Sequence, residues 1–280
     1  MGDIMPELPE VETVKETLKR KILNRRIVDV NILYNNIIEH PKVDDFKKMI
    51  INETFNDIKR RGKWLLFELD NYYLLSHLRM EGKYHLKKNN DEINKHEHVI
   101  FNLDDGSDLR YNDTRKFGKM YLVSKDELND CKPIKELGLE PWDSNLTSTY
   151  LKDKYKSKRL PIKTVILDQG IIVGIGNIYA DEILFLSKLN PLELCNSLKE
   201  KDLDNIIKYT KEVLEKAIKE GGTTIKSYTS EEGVHGRFQQ SLLVHTKDIC
   251  PTCNNNIEKI RVGGRGTYYC PICQKKRISD

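Results

Sequence analysis

The chain has 280 residues, which favours two domains of ordinary size, and its formal net charge of +4 is too modest to identify a polyanionic partner by itself. Hydrophobic residues make up 38% of the chain, yet no apolar run approaches the roughly 18 residues of a membrane span. The N-terminus lacks a secretory pattern, and Pro6 stands where a myristoylation motif takes Ser or Thr. These features predict a cytoplasmic protein that does not bind membranes.

The first 130 residues change from a helical to a strand pattern. Apolar residues recur at helical spacing from Val11 to Ile22 and predict a helix over roughly 9–22. From Ile27 to Val123, short β-branched or aromatic runs alternate with Gly, Asn and Asp turns. Strands at this spacing without intervening helices predict an antiparallel sandwich or barrel.

Pro133, Gly138 and Pro141 then mark a linker, and helical patterns return from about 146 to 219 before Gly221-Gly222 ends the last helix. The chain closes with two Cys-x-x-Cys pairs separated by 16 residues, and six basic residues against two acids lie between 258 and 280. In a chain without an export signal, this cysteine spacing predicts one structural zinc ion rather than disulfides. The ligands are Cys250, Cys253, Cys270 and Cys273. The basic tip indicates nucleic acid binding, with a solvated surface as the alternative. The predicted fold class is α+β: a helix and a β-sandwich, then a helical domain with a zinc module.

Several motifs resemble one family in order along the chain. They are MPELPEVETV at 5–14, RRGKWLLFEL at 60–69, HLRMEGKY at 77–84, RYNDTRKFGKMYL at 110–122, GIGNIYADEILF at 174–185 and GGTTIKSY at 221–228. Together with the zinc spacing they resemble formamidopyrimidine-DNA glycosylase, a bacterial base-excision repair enzyme. The resemblance covers essentially all of the chain from Met5 to Lys276.

The resemblance implies that Pro6 is an N-terminal nucleophile that forms a Schiff base with C1′ of the damaged nucleotide. A terminal amine with a pKa near 8 is roughly a third neutral at pH 7.5, against about 0.1% for a lysine. A proline inside the chain is an amide and cannot attack. We therefore expect Met5 to be the start and residues 1–5 to be absent from the mature protein, because a retained Gly2–Met5 extension would block the chemistry.

The same resemblance implies roles for further residues. Glu7 and Lys63 assist proton transfer and elimination, and Glu10 lines the lesion pocket together with Thr223, Thr224 and Tyr228 of a closing loop. An enzyme that extrudes a base must fill the gap it leaves. Met80 and Phe117 would wedge the base stack while Arg115 faces the orphaned cytosine. His96, Arg115, Asn177 and Arg265 would contact DNA. The third glycine of a G-x-G-x-x-G motif is absent from GIGNIYADE, and no βαβ pattern surrounds it. The stretch therefore fits a phosphate-binding helix start at Asn177 better than a dinucleotide site.

The implied activity is a bifunctional DNA glycosylase and abasic-site lyase that removes 8-oxoguanine and formamidopyrimidines from duplex DNA and cleaves the strand by β,δ-elimination. The expected protein is a monomer that binds double-stranded DNA carrying oxidised bases or abasic sites and associates with the bacterial nucleoid while acting. The alternatives are an endonuclease VIII-like enzyme for oxidised pyrimidines, or a non-catalytic lesion binder if Pro6 stays masked.

The expected organisation follows from these assignments. It comprises the catalytic β-sandwich domain at 6–132, a linker at 133–145, a helix–two-turn–helix domain at 146–222, the lesion-recognition loop and its connection at 223–244, and the zinc finger at 245–280.

Overall fold

The structure is a computed structural model that describes residues 5–223 and 236–277. The described residues form two compact units. The first contains residues 5–135, and the second contains residues 136–223 and 236–277. No helix in these ranges is long and apolar enough to cross a membrane.

The first unit begins with helix α1, Leu8–Ile22. Pro9 lies in its first turn, where the missing N–H of proline costs nothing, and Lys19, Arg20 and Lys21 lie in its last turn, where they complement the helix dipole. The apolar face, which includes Val11, Val14, Leu18 and Ile22, is buried, so the helix predicted over 9–22 is confirmed.

Two sheets follow α1 and form a sandwich. Their strands are β1 (Ile27–Ile32), β2 (Ile38–His40), β3 (Asp57–Arg61), β4 (Trp64–Glu68), β5 (Tyr72–His77), β6 (Lys83–Lys88), β7 (Glu97–Leu103), β8 (Ser107–Asn112) and β9 (Lys119–Ser124). The four-stranded sheet has the order β1-β7-β8-β6 and is antiparallel throughout, and the five-stranded sheet has the order β2-β9-β5-β4-β3. Apolar side chains of both sheets and of α1 share one core, which includes Phe67, Leu74, Phe101, Leu109 and Leu122.

The β-rich part differs from the sequence prediction in two ways. It contains a helix, α2 (Val43–Ile50), and its short strand β2 runs parallel to β9. Asp44 and Asp45 in the first turn of α2 complement its dipole, while Phe46 and Ile50, one turn apart, are buried. Eight residues are too few for the helical period to stand out between strand-like segments, so the expectation of no intervening helix was wrong.

The second unit is mainly helical. Its longest helix, α7 (Glu200–Lys219), carries buried and exposed residues at helical spacing and ends before Gly221 and Gly222, whose φ angles are 75° and 76°. A short helix, α3 (Lys132–Lys135), closes the first unit. The helices of the second unit are α4 (Ser148–Tyr155), α5 (Ile162–Val165), α6 (Asn177–Leu186), α7 (Glu200–Lys219) and α8 (Phe238–Ser241).

Helix α6 anchors the zinc module within this unit. A hairpin of β10 (Glu258–Val262) and β11 (Arg265–Tyr269) follows α8. The Asp181 carboxylate accepts hydrogen bonds from Lys163, from the His245 ring at 2.7 Å and from the Tyr268 amide at 3.1 Å. The Glu182 carboxylate accepts the amides of residues 243, 244 and 245. Two adjacent acids of one helix therefore position the chain before and inside the zinc module.

Candidate active site and DNA interface

The N-terminus of α1 carries Pro6, Glu7 and Glu10, all of them buried. Glu7 is the N-cap residue, and its backbone N–H donates to Oε2 of Glu10 at 2.9 Å. The Glu7 carboxylate accepts the Glu10 amide in return, which completes a capping box. The two carboxyl groups are thereby placed at the positive end of the helix dipole, beside Pro6.

Lys63 lies in a tight turn, directly before the first residue of β4. Arg61 pairs with Trp64, so Gly62 and Lys63 form the whole loop between β3 and β4. Gly62 has a φ of 56°, which fits a turn that takes glycine at its first central position. Lys63 is buried, with only 6% of the residue exposed.

Arg60 connects this turn to α1. Its Nε donates to Oε2 of Glu12 at 2.9 Å, and its Nη1 donates to the Gly62 carbonyl at 2.9 Å. The Arg60 side chain is 9% exposed, so both bonds are shielded from water. Sequence reasoning did not single out Arg60. The only available signal was its place in the RRGK stretch, where two arginines precede the glycine of a turn.

His77 lies next to this turn in the sheet. His77 pairs with Trp64 across the strands, and the two rings meet edge to face with their centroids 4.9 Å apart. Nδ1 of His77 accepts a hydrogen bond from the Arg79 amide at 3.0 Å. Burial, together with the charges of Arg79 and Lys63, lowers the pKa of His77 to about 3. The neutral imidazole can therefore donate only from Nε2, because Nδ1 is an acceptor.

Met80, Arg115 and Phe117 occur on two loops. Met80 is half-buried in the turn between β5 and β6, and Arg115 and Phe117 lie on the loop between β8 and β9. Phe117 is 49% exposed, and the Arg115 guanidinium lies over its ring at 4.9 Å from the centroid. A large apolar ring exposed on a loop is poorly suited to the core and well suited to inserting between bases.

In the second unit, Asn177 is the first residue of α6, as expected for a phosphate-binding helix start. Its side chain also has an unforeseen partner, because Nδ2 donates to the Gly266 carbonyl at 2.9 Å. Gly263 and Gly264 form the hairpin turn with φ angles of 54° and 80°, and the exposed Arg265 follows at once. The structure thus brings Asn177 and the residues next to Arg265 together.

The four zinc-ligand cysteines converge in the same unit. Their sulfur atoms all lie within 4.8 Å of one another, with 3.8 Å between Cys250 and Cys273 and 3.4 Å between Cys253 and Cys270. Tetrahedral zinc with Zn–S bonds of about 2.3 Å places its sulfurs about 3.8 Å apart. The cluster therefore holds one structural Zn²⁺, and four thiolates leave no open position for catalysis.

For the remaining predicted site residues, the structure gives burial and backbone hydrogen bonds. His96 is half-buried, and its carbonyl accepts the Asp113 amide at 2.9 Å. Thr223 is buried, and its neighbour Gly222 accepts the Phe238 amide at 3.1 Å. Thr224 and Tyr228 lie outside the described residues.

Family models match three parts of the chain. They are the formamidopyrimidine-DNA glycosylase N-terminal domain at residues 5–120, the formamidopyrimidine-DNA glycosylase H2TH domain at 137–229, and a zinc finger found in FPG and IleRS at 248–276. Together these models account for a helix-led β domain, a helical DNA-binding domain and the cysteine cluster. The architecture is thus that of a DNA repair glycosylase.

Individual relatives support the same assignment. Formamidopyrimidine-DNA glycosylases of Oceanobacillus iheyensis and Bacillus cereus are each 46% identical over 277 residues, covering 98% and 97% of this chain and 99% and 100% of those proteins. A Lactococcus lactis FPG mutant in complex with Fapy-dG DNA superposes with a TM-score of 0.90 at 37% identity, covering 97% of this chain and 100% of that one. The chain belongs to the formamidopyrimidine-DNA glycosylase family, whose enzymes are DNA glycosylases and abasic-site lyases of base excision repair.

Proposed function

We propose that this chain removes oxidised purines, 8-oxoguanine and formamidopyrimidines, from duplex DNA and then cleaves the strand by β,δ-elimination. The observation that carries the proposal is the buried N-terminal cluster, in which Pro6 directly precedes the Glu7–Glu10 capping box. Solved relatives of Lactococcus lactis are described with Fapy-dG DNA and with DNA containing an abasic site, which supports this substrate class.

In the proposed reaction the neutral amine of Pro6 attacks C1′ of the damaged nucleotide. The new N–C bond forms as the bond between C1′ and the base breaks, and the base leaves with that electron pair and takes up a proton. The amine then loses its proton as the C1′–O4′ bond of the sugar breaks and O4′ takes up a proton, which gives the open-chain iminium. The iminium acidifies the C2′–H bond, so loss of that proton expels the 3′ phosphate, and loss of a second proton, from C4′, expels the 5′ phosphate. The gap that remains is one nucleotide long, with phosphates at both ends.

The site residues divide this work. Glu7 exchanges protons beside the amine, Lys63 assists elimination, and Glu10 lines the lesion pocket. Met80 and Phe117 hold the gap in the stack, and Arg115 faces the orphaned cytosine. Asn177 grips a phosphate, Arg265 clamps a phosphate near the lesion, and His96 contacts the DNA backbone.

The mature enzyme in this proposal begins at Pro6. The amine is available only when residues 1–5 are absent, and the N-terminal family model matches from residue 5. We further propose that the enzyme acts in the cytoplasm on the bacterial chromosome, because its relatives are bacterial. The proposed form is a monomer.

Borohydride trapping on 8-oxoguanine duplex tests the nucleophile. Two proteins are compared: one whose reading frame starts at Met5, and a full-length Met5→Leu variant that retains residues 1–4. We expect the first to have an intact mass beginning at Pro6 and to form a trapped adduct, and the second to form none. Equal trapping by both would overturn Pro6 as the nucleophile and direct attention to Lys63. A panel including oxidised pyrimidines tests the substrate class.

A further inference from the structure

The two loops that carry Met80, Arg115 and Phe117 run side by side between the two sheets. Residues 78–82 lead from β5 to β6, and residues 113–118 lead from β8 to β9. At one end His77 pairs with Lys119, and at the other Lys83 pairs with Asn112. Both loops therefore cross from one sheet to the other between the same pairs of neighbouring strands.

The Tyr111 hydroxyl fills the space between these loops. A Cβ added at Gly118 would lie 1.7 Å from Tyr111 Oη, and one added at Gly82 would lie 2.3 Å from it. Only glycine leaves room for the hydroxyl at either place. Tyr111 is fully buried, and its ring meets that of Tyr84 at 5.2 Å.

Asp113 fixes the second loop from inside. Its Oδ1 accepts the Arg115 amide at 3.0 Å, and its Oδ2 accepts the amides of Phe117 and Gly118 at 3.0 and 2.8 Å. The Asp113 residue is fully buried, and its own carbonyl accepts from His98 Nε2 at 2.7 Å. Three amide donors to one buried carboxylate hold the loop in a single conformation.

Tyr111 and Asp113 are hydrogen-bonded to each other, and the loops beside them contain two residues with positive φ angles. The Tyr111 hydroxyl donates to Asp113 Oδ2 at 3.4 Å. Arg79, next to Met80, and Lys116, between Arg115 and Phe117, have φ angles of 53° and 59°. Left-handed conformations of non-glycine residues persist only where their surroundings hold them.

We propose that Tyr111 and Asp113 are positioning residues that lock both loops into one preformed wedge before DNA binds. The inference rests on the proposed function, in which Met80, Arg115 and Phe117 occupy the gap left by the extruded base. A preformed wedge loses no loop entropy when it enters the base stack, so preorganisation of the wedge speeds base extrusion. Chemistry at an already exposed abasic site does not need the wedge.

The test uses Asp113→Asn, which replaces an acceptor oxygen with an NH₂ group facing amide donors, and the milder Tyr111→Phe, which removes only the hydroxyl. Each variant is measured by single-turnover excision of 8-oxoguanine from duplex DNA and by β-elimination at an abasic site in single-stranded DNA. A fluorescent cytosine analogue opposite the lesion reports base-pair opening. Asp105→Asn is the matched control, since Asp105 caps the β7–β8 turn through the Ser107 amide at 3.0 Å.

We expect Asp113→Asn to slow duplex excision and base-pair opening by about tenfold to a hundredfold, because small misplacements of a positioning group have effects of that size. Tyr111→Phe should slow both less, and neither variant should change single-strand β-elimination. Equal losses on both substrates would show a general folding role and overturn the inference.

Met80→Ala and Phe117→Ala test the wedge separately from its positioning by Tyr111 and Asp113. If the two alanine variants leave base-pair opening unchanged, the proposed wedge is wrong. If they impair base-pair opening while Asp113→Asn and Tyr111→Phe match the wild type, the wedge stands and only its positioning by Tyr111 and Asp113 is overturned.

Discussion

Nδ2 of Asn177 donates a hydrogen bond to the carbonyl oxygen of Gly266 at 2.9 Å, across 89 residues of sequence. The first residue of α6 therefore holds β11, the strand that begins at Arg265. The helix start that we propose binds phosphate is thus joined to the zinc hairpin within the second unit.

Asn177→Ala should weaken binding to duplex DNA carrying a tetrahydrofuran abasic analogue. Loss of the hydrogen bond to Gly266 costs about 1 kcal/mol, and loss of the proposed phosphate contact adds to it, so we expect at least a tenfold rise in Kd. In combination with Arg265→Ala the effects should be less than additive, because the two changes disturb the same hairpin. Titration at fixed salt measures both, with the exposed Asn145→Ala as control. Strict additivity would show that the two residues act independently.

Loss of a zinc ligand should disrupt the hairpin. Cys270 is fully buried, and Gln274 ties its backbone amide to the Leu189 carbonyl with bonds of 2.9 and 2.8 Å. Structural zinc contributes on the order of 10 kcal/mol to such modules, so Cys270→Ser should abolish tight DNA binding and reduce bound zinc from one equivalent. Metal analysis and DNA titration check this. Cys131→Ser, which alters a thiol outside the cluster, should keep both the metal and the affinity.

His77 should make the protein less stable in mild acid. Its pKa of about 3 in the folded state lies below the usual 6.5, so the unfolded chain binds more protons between these values and the free energy of unfolding falls as pH falls. From pH 7.5 to 5.5 the expected loss from this residue is about 1.4 kcal/mol. His77→Gln should remove that increment in urea unfolding at the two pH values. An unchanged pH dependence in the variant would contradict the assignment.

Arg60→Ala should affect elimination more than binding. The substitution removes the bonds to Glu12 and to the Gly62 carbonyl and frees the turn that carries Lys63. We expect β-elimination at a preformed abasic site to slow by about tenfold, because a misplaced catalytic group loses rate steeply with distance. The Kd for uncleaved DNA should stay within twofold, and Arg25→Ala, which removes a surface ion pair with Asp105, is the control. A proportional loss of affinity would indicate a general structural role.

The sequence predicted those features that depend on local spacing. Periodic apolar residues indicated α1, the helical patterns that return after residue 146 and the sandwich strands, and the two Cys-x-x-Cys pairs identified the zinc ligands because each pair lies within one turn. Helix α2 was missed because its eight residues contain only two buried apolar positions.

Contacts that depend on strand register were beyond sequence reasoning. The close contact of the Tyr111 hydroxyl with Gly82 and Gly118 follows from the pairing of β5 with β9 and of β6 with β8. No local sequence pattern predicts that pairing. The bond between Asn177 and Gly266 likewise arises only when the zinc module packs on α6. The roles of Pro6, Glu7 and Lys63 came from family likeness and stay predictions.

The two-residue loop Gly62-Lys63 has a consequence for how this protein can change in evolution. Most surface loops tolerate insertions, but here the flanking residues Arg61 and Trp64 are already paired. One added residue would shift the register of β3 against β4 and turn buried side chains toward the other face of the sheet. Members of this lineage should therefore vary in length at other loops and keep a constant number of residues between their two strands at this one.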